Sequence, residues 1–243
     1  MNDRPSPLMA LVVLLATGAF IASPFFTGEF RGYQPDQFPV PLVDPLIQPP
    51  GWTFSIWLVI YGWMAVSAVY GLIYRASEPD WAAMRPSMAV AVAVGATWLP
   101  VAMASPLLAA VLILVMMVAA IVALHDAPFL DHWWARAPAG LFAGWLTAAA
   151  FVSLGLILAG YGLMSGRTAA IVCLVLALLV AAFVIWTVRD TAMYSAAVCW
   201  ALTGIFLSTL TDDRTVAVIS GAGALITGLL ALRGVQKLTL TGK

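Results

Sequence analysis

The chain has 243 residues, of which 63% are hydrophobic and only 9% are charged, and its formal net charge is zero. Soluble domains carry about 25% charged residues, so this composition, with a mean hydropathy of +1.00, excludes an ordinary soluble domain and predicts an all-α integral membrane protein. Basic residues form no run, which excludes nucleic acid as a partner. The partners that the composition predicts are the lipid bilayer and apolar small molecules.

The first predicted helix is the uncharged run 8–26. Only Arg4 supplies a basic flank and the run is longer than the core of a usual signal peptide, so we expect a retained transmembrane helix. Residues 27–51 follow, with prolines at positions 35, 39, 41, 45, 49 and 50. Because proline fixes φ and favours extended geometry in the residue before it, this segment predicts an ordered, non-helical loop.

Seven further runs are long and apolar enough to cross a bilayer core, which takes about 20 helical residues. They are 53–74, 87–104, 106–124, 138–159, 168–188, 191–210 and 215–232. Only Ser105 and Pro106 connect the third and fourth helices, which predicts a tight hairpin. The charged pair Arg189-Asp190 predicts a turn between the sixth and seventh. The sequence therefore predicts eight transmembrane helices.

The basic residues predict how these helices are oriented, since Lys and Arg accumulate on the cytoplasmic side of a membrane. With eight crossings, the tails and the even-numbered connections share one side, which has eight basic residues against three. The eight are Arg4, Arg75, Arg85, Arg136, Arg189, Arg233, Lys237 and Lys243, and the three are Arg31, Arg167 and Arg214. We therefore expect both termini to be cytoplasmic and the proline-rich loop to be external, in a bacterial-type inner membrane.

Ionisable residues are missing from every predicted span, which weighs against proton- or ion-coupled transport. Catalytic motifs are missing as well, so we expect no enzyme activity. His125 and His132 lie with Asp126 and Asp131 in the connection 124–137. A metal or haem site would need more converging ligands, so we expect no metal site there and favour a solvated loop at the membrane surface.

The ten tryptophans are the most informative feature that remains. Trp57 and Tyr61 are four residues apart on the second helix and share one face, while Trp98 and Trp145 fall inside the third and fifth spans. A buried indole N–H usually finds a hydrogen-bond partner, and an indole ring can also stack on a ligand. The rings are either packing and interface anchors or the walls of a pocket for a flat apolar ligand beneath the loop.

The start of the second helix resembles a known family. Pro49-Pro50-Gly51-Trp52-x-Phe54, followed by Ile56-Trp57-x-x-x-Tyr61, is similar to the signature of the TspO/MBR family, the tryptophan-rich sensory or translocator proteins. Trp98 and Pro138-x-x-Leu141-x-x-x-Trp145 continue the match in order. The resemblance implies a five-helix membrane unit, here residues 1–160, often dimeric, with a pocket for porphyrins, sterols or other apolar ligands. The ligand-binding residues that it implies are Trp52, Phe54, Trp57, Tyr61, Trp98, Trp145 and Ser153.

The sequence also departs from that family pattern. Two residues instead of three separate Phe54 from Trp57, and Gly95 and Ser153 stand where the family has asparagine. These changes predict either a more apolar pocket, whose polar groups are hydroxyls and indoles, or a pocket that is filled with side chains. Residues 161–243 add a three-helix extension rich in small residues, which either packs onto the five-helix unit or forms an interface with another subunit.

Three functions follow as hypotheses. The first is a non-enzymatic ligand-binding or sensory membrane protein for a flat apolar molecule, with a bound porphyrin, carotenoid or lipid as the candidate cofactor. The second is an accessory or assembly subunit of a larger membrane complex, and the third is passive transport of an apolar solute. A homodimer or a larger complex is the partner that the first two imply.

Overall fold

The protein is an all-α integral membrane protein, as the sequence predicts. A computed structural model describes residues 5–28, 30 and 32–241, and every regular element in that part of the chain is helical. Eight of the helices are long and apolar enough to cross a membrane. They are α1 (Leu8–Thr27), α2 (Ile56–Ile73), α3 (Pro79–Ala104), α4 (Pro106–Asp126), α5 (Ala137–Gly160), α6 (Gly166–Thr187), α7 (Ala192–Thr209) and α8 (Arg214–Thr241).

The starts of α2 and α3 differ from the predicted ones by three or more residues. α3 begins at Pro79 and not at residue 87, because proline is favoured in the first helical turn and Pro86 lies inside the helix. A 3₁₀ turn, Gly51–Ser55, precedes α2, and the Thr53 hydroxyl donates to the Pro50 carbonyl at 2.6 Å within it. A π-helical turn, His132–Arg136, precedes α5.

α5 is the central helix of the bundle, and most of its side chains are buried. It packs against α4, α6 and α7, and less extensively against α2. Small residues make the close approach to α7 possible: a Cβ at Gly144 would overlap the carbonyl oxygen of Tyr194. Around this axis α1 packs on α3, α3 on α4, and α7 on α8.

The proline-rich loop lies at the end of the bundle where α3, α5 and α7 finish, which we call the loop end. The Gln37 amide donates to the carbonyls of Ala102 and Met103, both at 3.3 Å, and the Val40 amide donates to the Gly160 carbonyl at 2.8 Å. α1 runs toward this loop, so its first residue lies at the opposite end. Arg4, Glu29, Arg31 and Lys243 lie outside the described residues.

Both predicted short connections are confirmed. Ser105 alone separates α3 from α4, and its hydroxyl caps α4 by accepting from the Leu108 amide. Val188 to Thr191 separate α6 from α7, and Asp190 has a positive φ of 58° within that turn. Aspartate tolerates this left-handed conformation better than most residues.

The small residues of α8 pack inside the chain. Gly221 lies against Phe206 of α7, and Gly223 lies against Leu178 of α6 and Leu202 of α7. Within the described residues, α6 and α7 cover these two glycines, and an interface of the extension with another subunit stays a prediction. One hydrophobic core also runs from Val13 in α1 to Val216 in α8. The division into residues 1–160 and 161–243 stays a prediction.

Candidate functional site

An aromatic cavity lies beneath the proline-rich loop. Five of the seven predicted site residues line it: Phe54, Trp57, Trp98, Trp145 and Ser153. The other lining residues are Phe30, Gly32, Tyr33, Gln48 and Pro49 from the loop, Ile113 from α4, Ala148, Ala149, Val152 and Leu156 from α5, and Ala201 from α7. The cavity volume is about 40 Å³, which has room for a few water molecules and is far too small for a porphyrin.

The walls of the aromatic cavity are rings packed edge to face. Trp145 lies 5.8 Å from Phe54 and 6.1 Å from Trp57, centroid to centroid, with interplanar angles of 83° and 85°. Phe30 from the loop lies 5.1 Å from Trp98 at 79°. Aromatic pairs prefer this geometry to a face-to-face sandwich. The loop and three helices are thus joined through one continuous set of rings.

The two deepest tryptophans differ in how their indole N–H groups are used. Trp98 Nε1 donates to the Ala109 carbonyl of α4 at 3.0 Å. Trp145 is only 2% exposed, yet its Nε1 has no hydrogen-bond partner among the described residues. A buried donor without an acceptor costs about 1–3 kcal/mol. Trp145 therefore brings an unpaired donor to the wall of the aromatic cavity, whereas the Trp98 donor is already bonded.

Tyr33 adds a second polar group to the same cavity. Its hydroxyl is buried without a hydrogen bond of standard geometry to any described residue. Burial raises the pKa of Tyr33 to about 12, and the neighbouring Ser153 hydroxyl acts in the opposite direction. The phenol is therefore neutral near pH 7 and can both donate and accept a hydrogen bond.

The remaining two predicted residues lie away from the cavity lining. Trp52 is about half exposed and packs at 89° against Trp200 of α7, whose Nε1 donates to the Thr53 carbonyl at 2.8 Å. Tyr61 stacks on Trp57 at 5.3 Å and packs edge-on against Phe20 at 5.1 Å. Trp52 therefore connects the start of α2 to α7. Tyr61 packs against Trp57, which lines the cavity, without lining the cavity itself.

The sequence prediction omitted the loop residues of the cavity wall, as well as its aliphatic side chains from α4, α5 and α7. Tyr33 and Gln48 carry no motif, and their place depends on the path of the loop across the helix ends. The one available signal is Gly32 beside Tyr33: Gly32 has φ of +117°, a conformation that favours glycine, and it makes room for the Gln48 side chain.

A family model described as TSPO-like protein matches residues 8–233, which includes all of α1 to α7 and most of α8. The chain belongs to the TSPO-like protein family. The predicted resemblance is therefore confirmed, and the match extends beyond residue 160 into the last three helices. Comparisons with curated proteins and with solved structures returned no match.

The opposite end of this TSPO-like protein holds a polar cluster centred on Asp131. The Asp131 carboxylate accepts from Arg75 Nε at 2.7 Å, from Trp81 Nε1 at 2.8 Å and from the Tyr70 hydroxyl at 3.2 Å. These hydrogen bonds, the one from Arg75 above all, lower the pKa of Asp131 below its usual value. The carboxylate joins the end of α2, the first turn of α3 and the segment before α5.

The connection 124–137 is not the solvated loop that the sequence predicts. His132 is 3% exposed and Arg136 is 1% exposed. His132 Nδ1 lies 2.8 Å from Asp190, and the Arg136 guanidinium donates to the carbonyls of Ala127 and Arg189. His132 and Arg136 are buried because Asp190 and Arg189 of the α6–α7 turn lie against them, whereas Trp133 and Trp134 between them stay exposed. His125 stays exposed, and no three metal-ligating side chains converge within the described residues.

Arg85 corrects the expectation that no charge lies within a span. The early start of α3 includes it in the helix, where it is 3% exposed. Its guanidinium donates to the carbonyls of Gly71, Arg75 and Ala76 at 2.7 to 3.1 Å. Gly71 lies in the last turn of α2, and Arg75 and Ala76 lie in the turn that follows it, so Arg85 caps this helix end from α3. Arg85 therefore has a structural role at the end of α2 and does not indicate an ion path.

Proposed function

We propose that this TSPO-like protein is a non-enzymatic binding or sensory protein of the membrane, with a flat apolar molecule such as a tetrapyrrole or carotenoid as its ligand. The unpaired, buried indole N–H of Trp145 carries the proposal. A ligand atom that accepts this hydrogen bond would recover about 1–3 kcal/mol that the unliganded protein forgoes.

The aromatic walls support a flat ligand. Trp57, Trp98 and Phe54 line one cavity, and aromatic side chains supply large apolar area with little loss of rotamer freedom. Polar lining groups are few, with Tyr33, Ser153 and Gln48 beside Trp145. An apolar pocket with a small number of placed polar groups is the usual form of a small-molecule site.

The loop must move for such a ligand to bind, because the cavity volume of about 40 Å³ is smaller than the ligand. The side chains of Phe30, Tyr33 and Gln48 form the loop side of the cavity. The loop is tethered by long hydrogen bonds from Gln37. Binding is thus coupled to displacement of the proline-rich loop, which gives a sensory protein a conformational signal to pass on.

Neutral porphyrin titration tests the proposal. The protein is purified into phosphatidylcholine nanodiscs and titrated with protoporphyrin IX dimethyl ester, and binding is followed by the shift of the Soret band against empty nanodiscs. Trp145→Phe keeps an aromatic ring and removes the N–H, so we expect about five- to tenfold weaker binding. The unliganded stability should stay unchanged or rise, because an unpaired donor has been removed.

Trp98→Phe is the matched control. Its N–H already bonds to Ala109, so this variant should lower the apparent Tm and change the affinity less than Trp145→Phe does. Absence of saturable binding for the ester and for a carotenoid and sterol panel would refute the proposal. Equal affinity of wild type and Trp145→Phe would refute the role of the indole.

We further propose that the loop end faces outward across a bacterial-type inner membrane and that both termini are cytoplasmic. The eight-to-three distribution of basic residues supports this orientation. Reporter fusions at the C-terminus and in the loop provide the test: a fluorescent protein that folds only in the cytoplasm should be bright at the C-terminus and dark in the loop.

A further inference from the structure

A second and larger cavity lies at the loop end, beside the aromatic cavity. Its volume is about 440 Å³, and it is bounded by residues of the proline-rich loop, among them Asp44, and by the C-terminal end of α7 with Ser208, Thr209 and Asp212. We call this cavity the vestibule. Its size suits a small-molecule group without any side-chain movement.

The vestibule and the aromatic cavity share one wall. Tyr33, Gln48 and Pro49 line both, so these side chains are what separates them. The Gln48 side chain lies over Gly32, where a Cβ would come within 2.5 Å of Gln48 Nε2. Tyr33 brings a buried hydroxyl without a partner of standard geometry. A ligand that displaces Gln48 would reach from the vestibule to Trp145.

The charge of the vestibule is negative. Asp44 and Asp212 line it, and no Lys, Arg or His side chain belongs to its described lining. Arg167 is engaged by the residue next to Asp212, since its Nε bonds to Asp213 at 2.6 Å and its Nη2 bonds to Thr215 at 2.8 Å, and the exposed Arg214 is not part of the described lining. Asp213 in turn accepts from the first amides of α8. The carboxylates of Asp44 and Asp212 are therefore the charged groups that a ligand in the vestibule would meet.

We propose that the vestibule is a subsite for the cationic end, a protonated amine, of a ligand whose flat apolar part occupies the aromatic cavity. The inference rests on the proposed function and narrows its ligand class. Carboxylates of Asp44 and Asp212 and the hydroxyls of Ser208 and Tyr33 are acceptors for an ammonium group. The same carboxylates repel an anionic ligand, so the protein discriminates against porphyrins that carry free carboxylates.

Three derivatives of the same porphyrin ring, which differ in net charge, test the subsite. The probes are protoporphyrin IX with two free carboxylates, its neutral dimethyl ester, and its diamide with two ethylenediamine arms, which is cationic at pH 7. In zwitterionic phosphatidylcholine nanodiscs we expect the diamide to bind at least fivefold more tightly than the ester, and the free acid to bind more weakly than the ester. A free acid that binds as tightly as the diamide overturns the inference.

Two variants, each of which removes one negative charge, test whether the vestibule carboxylates cause the preference for the cationic porphyrin. Asp44→Asn and Asp212→Asn should each weaken diamide binding about two- to fivefold, strengthen binding of the free acid, and leave the ester within twofold. Asparagine also tolerates the positive φ of 46° at residue 44, so the loop path is preserved. Asp36→Asn is the matched control, since Asp36 is an exposed loop carboxylate outside the vestibule lining. An equal effect of Asp36→Asn would overturn the local contact in favour of a general surface potential.

The outcomes separate this inference from the function on which it rests. If the ester binds in a Trp145-dependent manner and the diamide binds no better, the subsite is refuted and the proposed function stands. If none of the three porphyrins binds but a carotenoid or sterol does, the subsite is refuted and the proposed function stands. If the whole panel fails to bind, the proposed function fails and the subsite with it. If binding of the diamide is weakened by Asp44→Asn and Asp212→Asn but not by Trp145→Phe, the vestibule binds cations by itself and the two-part site is refuted.

Discussion

Phe20 in α1 lies directly against Gly95 in α3, and a Cβ on residue 95 would come within 2.7 Å of the Phe20 ring. Gly95 occupies the position where the family resemblance has an asparagine. The missing side chain makes room for the phenyl ring, which also contacts Trp57 at 5.8 Å and Tyr61 at 5.1 Å. An aromatic ring has thus taken space beside the site where the family pattern has an amide.

Gly95→Ala should therefore destabilise the protein. The added methyl group would overlap the Phe20 ring and approach the Met116 methyl, and overpacking of this kind costs about 1–3 kcal/mol. Phe20→Leu should rescue part of the loss, because a smaller side chain relieves the overlap. The measurement is the apparent Tm in detergent.

Gly62→Ala is the control for that experiment, since nothing lies within 4 Å of a Cβ at residue 62. It should be neutral or slightly stabilising, because alanine has the higher helix propensity. Equal losses at residues 62 and 95 would contradict the role of Phe20.

Asp131→Asn should lower stability by about 1–3 kcal/mol, since the side chain joins three donors from α2 and α3 and buried hydrogen bonds to a charged group are costly to lose. Asp126→Asn is the matched control, because Asp126 lies in the same connection and bonds to its neighbour His125 at the surface. A loss at Asp126 as large as that at Asp131 would contradict the importance of the cluster.

The lowered pKa of Asp131 also predicts how stability changes with pH. Above the ordinary carboxyl pKa of about 4, the group is ionised in the folded and unfolded chain and its stabilisation is fully present. Below that pH the unfolded chain binds the proton first, so stability falls until the folded-state pKa is passed. Between pH 6 and pH 3, wild type should lose more of its apparent Tm than Asp131→Asn does.

The number of helices could be predicted from sequence because each span is a run of apolar residues, and Ser105-Pro106 punctuates the only hairpin without a polar loop. Which of the two tryptophans leaves its indole N–H unpaired could not be predicted from the sequence. Trp98 and Trp145 look alike in sequence, and only the packing of α3 on α4 shows that the Ala109 carbonyl accepts from one of them.

Buried charge was equally hard to anticipate. Arg85 follows a short polar segment and precedes Pro86, a pattern that is typical of residues flanking a transmembrane helix. α3 begins at Pro79, however, and therefore includes Arg85. Its partners are carbonyls of the last turn of α2 and of the connection that follows, which come near only once the chain has turned into α3. Side chains such as Tyr33 and Gln48 reach the cavity for a similar reason, because Val40 is bonded to the far end of α5.

Gln37→Ala should loosen the proline-rich loop without unfolding the bundle. The change removes the two hydrogen bonds to Ala102 and Met103, so amide hydrogen exchange should rise in residues 35–40 and stay unchanged in α4. The association rate of protoporphyrin IX dimethyl ester should rise several-fold, because loop displacement precedes binding. Faster exchange with an unaltered association rate would show that the loop does not limit access.

The packing of α7 on α5 predicts that residues 1–164 do not form a stable unit alone. Tyr194 is fully buried, its hydroxyl donates to Thr147 at 3.0 Å, and its backbone leaves no room for a side chain at Gly144. Ala201 of the same helix completes the cavity wall. Without α6 to α8, α5 would expose its glycine-lined face to lipid, and the Thr147 hydroxyl, which donates to the Ala143 carbonyl, would lose the hydrogen bond that it accepts from Tyr194.

Expression of the two fragments, separately and together, checks this prediction. The fragment 1–164 should aggregate in size-exclusion chromatography, and co-expression with 165–243 should restore a monodisperse complex that binds the porphyrin ester as the intact chain does. Gly144→Ala in the first fragment should prevent the rescue, because its Cβ would overlap the Tyr194 carbonyl. A monodisperse, ligand-binding fragment 1–164 would show instead that the first five helices are an independent unit to which the last three are only attached.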